Sequence, residues 1–156
     1  MRGLPSSRRM PISPSVRRSP EQGAKGAASK GERIAVTLGD PAGVGPEVVL
    51  RSIDSWRKKP PARVLLLGSA DFYKNLAGRL RLPIIFRNIK NLSDWELLPP
   101  RVVPCYFFEK IPARVIRGRF DATLATLAVR SIELGAALAM KKKIDAVVTA
   151  PIHKAS

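Results

Sequence analysis

Short apolar runs that alternate with stretches of helical periodicity restrict this chain more than any other feature. Ile34-Ala35-Val36-Thr37-Leu38 is a nearly continuous apolar run that ends in a loop rich in Gly and Pro. Val64 to Leu67, Pro83 to Phe86, Val102 to Phe107 and Ile144 to Thr149 are further runs of strand length. Runs this short, bounded by turn residues, read as buried strands. Between them, Pro46 to Trp56 carries Val49, Ile53 and Trp56 at helical spacing. Pro46 suits a first helical position, and Glu47 suits the positive end of the helix dipole. Asp71 to Leu80 reads as a second helix with Ser69 as its expected cap. The stretch holding Asn88, Asn91 and Ser93 reads as loop or short helix. Asp121 to Met140 reads as a long Ala/Leu helix, with Lys141, Lys142 and Lys143 at its negative end. Strands alternating with helices predict an α/β fold with a largely parallel sheet. The near-continuous apolarity of the strands agrees, because parallel strands are usually covered on both faces.

The folded part is expected to span residues 32–156. Residues 1–31 read as a disordered basic leader, with Pro5, Pro11, Pro14 and Pro20, many serines and few large apolar side chains. Their Arg- and Ser-rich composition is that of an organellar transit peptide, but the prolines interrupt any amphipathic helix. A flexible tail or a mis-set start are the plainer readings. No apolar stretch follows the arginines, which excludes a secretory signal.

The net charge is +16. Because the excess runs the length of the chain and no nucleic-acid-binding motif accompanies it, it reads as a solvated basic surface suited to small anions. The single cysteine, Cys105, lies in an apolar run and has no partner for a disulfide or a metal, so it reads as a small buried hydrophobe in a reducing compartment. The longest apolar-rich stretch, Phe120 to Met140, is interrupted by Asp121, Arg130 and Glu133, so no membrane span is expected.

In open parallel sheets, ligands bind beyond the carboxyl ends of the strands. That rule points to two segments. The first is the loop Gly39-Asp40-Pro41-Ala42-Gly43-Val44-Gly45-Pro46-Glu47. Its glycines permit tight turns, and it opens a helix whose free N–H groups favour anions. It is neither GxGxxG nor a Walker loop, so a strand-to-helix turn without a ligand remains the alternative. The second is Thr149-Ala150-Pro151-Ile152-His153-Lys154, where a buried strand gives way to polar groups. His153 is the only histidine, and a neighbouring pair of His153 and Lys154 can neutralise or donate to a phosphate. A surface pair in a loop is the alternative. One histidine cannot build a metal site by itself.

Both segments resemble signatures of the 4-hydroxythreonine-4-phosphate dehydrogenase family. Gly39 to Glu47 resembles its opening loop. Gly118 through Ile144-Asp145-Ala146-Val147-Val148 to Lys154 resembles its helix, strand and Thr-Ala/Gly-Pro-x-x-Lys segment. The resemblance covers residues 32–156 and is loose over 70–115. The first loop is also similar to the Gly-Asp-Gly-Ile-Gly-Pro-Glu loop of isocitrate and isopropylmalate dehydrogenases, which share the family's broad fold.

The resemblance implies NAD-dependent oxidation of the secondary alcohol of 4-phosphohydroxy-L-threonine. Decarboxylation to an aminoketone phosphate used for pyridoxal 5'-phosphate would follow. It implies a divalent metal acting as Lewis acid, a phosphorylated small-molecule substrate, a homodimer, and a cytoplasmic setting without nucleic-acid or membrane partners. Gly39, Asp40, Gly43, Gly45, Glu47, Thr149, His153 and Lys154 are the implied cofactor- or substrate-binding residues. No catalytic residue is assignable. The family's metal-binding histidines and its Gly-His-Thr-Glu segment lie downstream of the lysine matched by Lys154. The expectation is therefore an incomplete isocitrate/isopropylmalate dehydrogenase-like fold, without a metal ligand and inactive alone. An isopropylmalate-type hydroxy-acid dehydrogenase, or a non-catalytic basic fragment that binds anions, are the alternatives.

Overall fold

The computed structural model describes residues 31–56, 60, 62–106, 110–111 and 115–152. Along them run β1 (Arg33–Val36), α1 (Gly45–Trp56), β2 (Arg63–Leu67), α2 (Ala70–Leu80), β3 (Ile85–Ile89), α3 (Ser93–Glu96), β4 (Val102–Tyr106), α4 (Ala122–Met140) and β5 (Ala146–Val148). The strands form one sheet in the order β3-β4-β2-β1-β5, and every pairing is parallel. Residues 1–30 of the expected leader, the Phe107 end of the fourth expected strand, and His153 and Lys154 lie outside the described residues.

Strand β2 explains the layering. Leu65, Leu66 and Leu67 are all fully buried, and successive strand side chains point to opposite faces. Leu66 packs with Val36, Leu50, Ile53, Tyr73 and Leu76, so α1 and α2 cover one face. Leu65 and Leu67 pack with Trp95, Leu138 and Ile144, so α3 and the end of α4 cover the other, while Leu124 and Leu127 at the start of α4 join the first core. Burying a Leu side chain contributes about 1.5–3 kcal/mol, and such layers need both helical faces to be apolar. Cys105 is fully buried in the first core. Burial, and secondarily the charge of Asp71, push its thiol well above the ordinary range, which makes it unreactive.

Several boundaries differ from the sequence expectation. β1 ends at Val36, although Thr37 still donates to the Val148 carbonyl (3.0 Å). Leu38 leaves the ladder because its N–H bonds to Ser131 Oγ (3.1 Å). The third strand runs from Ile85 to Ile89 rather than from Pro83 to Phe86, in register with β4 from Val102 to Tyr106. Pro83 has no N–H to give to a ladder. Ser69 occupies the cap position of α2 without making a side-chain capping bond. Asn88, expected outside a strand, instead accepts from Ala70 N–H (2.8 Å). β5 is confined to Ala146–Val148 because Ile144 turns into the second core and the Asp145 carboxylate accepts from Arg33 N–H (2.8 Å). Asp121 caps α4 rather than joining it, accepting from Thr123 and Leu124 N–H (2.9 and 3.2 Å).

With Asp121 outside it, α4 is long and apolar enough to cross a membrane by length and composition, contrary to the expectation above. Its buried residues Leu124, Leu127, Ala128, Ser131, Gly135 and Leu138 recur at three- and four-residue intervals. They face the sheet, where a Cβ at Gly135 would lie 3.1 Å from Val147 Cγ1. The apolarity of α4 therefore serves a core face.

Gly78 sits in α2 with open space where a Cβ would be. Gly78→Ala is expected to add about 0.5–1 kcal/mol by lowering the entropy of the unfolded chain. A raised urea midpoint checks this, and a lowered one would contradict the helical placement.

Candidate functional site

Strands β1 and β5 are parallel neighbours, so the segments that leave their carboxyl ends emerge side by side. The backbone joins them at successive levels. Asp40 N–H donates to the Pro151 carbonyl (3.0 Å). Ala150 N–H donates to Thr37 Oγ1 (3.0 Å), where both residues are buried. The two segments singled out in the sequence, well over a hundred residues apart, are thus in contact at one end of the sheet.

The glycines of the first loop serve this contact. Gly39 has φ +67°, and a Cβ there would lie 2.8 Å from Ala150 Cβ and 2.9 Å from the Pro151 oxygen. A Cβ at Gly45 would lie 3.1 Å from the same oxygen. Gly43 is different. Its nearest neighbours are Asp40 atoms at 3.4 Å, an ordinary contact. Gly39 and Gly45 therefore let one loop press on the other. Asp40 holds the turn, its Oδ1 accepting from Ala42 N–H (2.9 Å) and its carbonyl from Gly43 N–H (3.0 Å). This is the local side-chain-to-backbone bonding typical of Asp in turns.

Glu47, in the first turn of α1, accepts from Arg51 (3.0 Å) and from Arg117 (2.9 Å). The Arg117 hydrogen bond first, and then that of Arg51, hold its carboxyl below the usual glutamate range. The pairing is therefore present at neutral pH and is lost only as pH falls through that lowered value. Arg117 is followed by Gly118, whose N–H donates to the Ala42 carbonyl (2.9 Å). This second tie fixes the loop from the side opposite β5. Thr149 is exposed beyond β5. The placement of His153 and Lys154 falls outside the described residues.

Sequence reasoning missed Thr37, Ser131 and Arg117. Ser131 is fully buried, accepts from Leu38 N–H (3.1 Å) and donates to the Ala128 carbonyl (2.7 Å). The available signal was one hydroxyl on the apolar face of an Ala/Leu helix, which needs a buried partner. Among the described residues no group of three His, Cys, Asp or Glu side chains is placed to hold a metal ion.

A parallel sheet covered by helices on both faces, with its candidate site where two strands end, defines the α/β class with the isocitrate/isopropylmalate dehydrogenase-like fold. No protein-family model matches the chain. A 4-hydroxythreonine-4-phosphate dehydrogenase of Janthinobacterium sp. is 29% identical over 135 residues, which is 82% of this chain and 38% of the relative. A D-threonate 4-phosphate dehydrogenase of Cupriavidus necator is 32% identical over 78% of this chain and 36% of the relative. The crystal structure of a 4-hydroxythreonine-4-phosphate dehydrogenase from Burkholderia phymatum superimposes with a TM-score of 0.71 at 29% identity, covering 79% of this chain and 37% of that one. Over about four-fifths of its residues, the chain is similar to 4-hydroxythreonine-4-phosphate dehydrogenases. It spans little more than a third of the length of the curated relatives it matches.

Proposed function

We propose that this chain serves the NAD-dependent, divalent-metal-assisted oxidation and decarboxylation of 4-phosphohydroxy-L-threonine in pyridoxal 5'-phosphate biosynthesis. The observation that supports this reading best is the junction of the two signature segments at the ends of β1 and β5, closed by the bond from Asp40 N–H to the Pro151 carbonyl (3.0 Å). Parallel α/β sheets bind ligands in that position. The relatives' names add a second reading, oxidation of D-threonate 4-phosphate. Both substrates carry a phosphate ester, and a cationic side chain at the site is suited to either.

In this reading Gly39 and Gly45 let the second segment approach, Asp40 keeps the first loop in its turn, and Lys154 neutralises the phosphate. A bound nicotinamide would supply the hydride acceptor for the secondary alcohol. The described residues do not fit the implied metal, since they offer no donor set for it. A cytoplasmic homodimer is the assembly and location that go with this function.

Calorimetric titration of the chain with 4-phosphohydroxy-L-threonine, D-threonate 4-phosphate and isopropylmalate tests the reading. The two phosphate esters are expected to bind and isopropylmalate is not. Lys154→Ala should weaken binding about tenfold, the worth of one charge-assisted hydrogen bond, whereas Lys142→Ala should not. A preference for isopropylmalate, or equal behaviour of the two lysine variants, would sink the assignment.

A further inference from the structure

On the β2 and β4 side of the first loop, away from Pro151, lies a cavity of about 290 Å³. Three elements enclose it. The loop contributes Pro41 and Gly43, α2 contributes Phe72, Leu76 and Arg79, and the chain after β4 contributes Lys110, Ile111 and Arg117. The size is near the lower end for small-molecule sites, about 300 Å³. Its walls divide by chemistry. Leu76 and Ile111 are buried in the first core, with Phe72 and Val115 packed against that core, so they form an apolar floor. Arg79, Lys110 and Arg117 supply three cations against one acid, Asp71.

The cations are not equivalent. Arg117 is held by Glu47 (2.9 Å). Arg79 and Lys110 form no salt bridge among the described residues. Lys110 lines the cavity beside Ile111, which is buried in the first core. Arg79 follows Leu76 by three residues on α2, which places it one turn along the same face. Two cations without a salt bridge among the described residues, set beside an apolar floor, match an anion that carries an apolar body, and Arg pairs with phosphate oxygens through its planar fork.

We propose that this cavity is a second anion site, taking a phosphate monoester with a small apolar body and using Arg79 and Lys110 as its phosphate ligands. It goes beyond the reaction proposed above, because none of the described residues that line it belongs to the segment after β5.

The probe is phenyl phosphate, followed by NMR shifts of the amides of Phe72, Leu76 and Ile111 at low ionic strength. Saturable binding is expected. Arg79→Gln and Lys110→Gln should each weaken it about tenfold, and Arg79→Lys should weaken it less than Arg79→Gln, since it keeps the charge and loses the fork. Both residues are exposed, so these changes should leave the denaturation midpoint nearly unmoved. Lys142→Gln and Lys154→Ala should bind as the unaltered chain does. Four outcomes would overturn the proposal: no saturable binding, no effect of either glutamine variant, an equal loss in Lys142→Gln, which would mean diffuse attraction by the +16 charge, or a loss confined to Lys154→Ala. The last would place the anion at the β5 segment and leave the proposed reaction standing. Conversely, a null Lys154→Ala result with substrate would sink that reaction without touching this cavity.

Discussion

Gly39→Ala is expected to lose about 2–5 kcal/mol of stability, the sum of two penalties. The backbone at Gly39 has φ +67°, which costs an L-residue roughly 1–2 kcal/mol. The added methyl would also lie 2.8 Å from Ala150 Cβ and 2.9 Å from the Pro151 oxygen, and overpacking of this kind costs about 1–3 kcal/mol. Relief would require the β5 segment to move away, so the same substitution should open the junction between the two signature loops. Gly118→Ala separates the penalties. Gly118 has φ +73° but nothing within 4 Å of where a methyl would sit, so only the backbone cost of roughly 1–2 kcal/mol is expected. Urea titrations of the two variants side by side decide the matter. Equal losses would mean that contact with Ala150 and Pro151 contributes nothing.

Ser131→Ala is expected to cost about 1–3 kcal/mol, because it leaves the buried Leu38 N–H without its acceptor. Thr37→Val, which nearly preserves shape, removes the acceptor of the buried Ala150 N–H in the same way. Both hydroxyls brace the end of β1, one against α4 and the other against the segment after β5. Their combined loss should therefore depart from additivity, as is usual for residues that share a structural element. Hydrogen exchange gives the specific readout. Leu38 N–H should lose protection in Ser131→Ala, and Ala150 N–H should lose it in Thr37→Val. Unchanged protection at those amides would show that the hydroxyls are not their acceptors.

Much of the architecture was legible before the fold was known. The apolar runs at Ile34 and Val64 became adjacent parallel strands, because a run buried on both faces has few other uses. The periodicity of Pro46 to Trp56 and of Asp121 to Met140 located α1 and α4 to within a residue or so. The third strand was misplaced, since its register is set by pairing with β4 and not by its own apolarity. The expected cap at Ser69 failed for a similar reason, because Asn88 reaches the α2 terminus from a separate strand.

The site divides along the same line. Gly39, Asp40, Gly45 and the segment after Val148 stand out in the chain because turn residues next to apolar runs are local properties. Their meaning is not local. Only the β1–β5 pairing decides that Gly39 and Gly45 accommodate Pro151, and only the tertiary fold brings Glu47 to an arginine 70 residues away. The same holds for Thr37 and Ser131, whose bonds link residues 113 and 93 positions apart. Periodicity and turn chemistry act over a few residues, and so the chain declares its strands, helices and class directly. Buried hydrogen bonds and close backbone approaches are satisfied across the sheet, by whichever segments packing brings together.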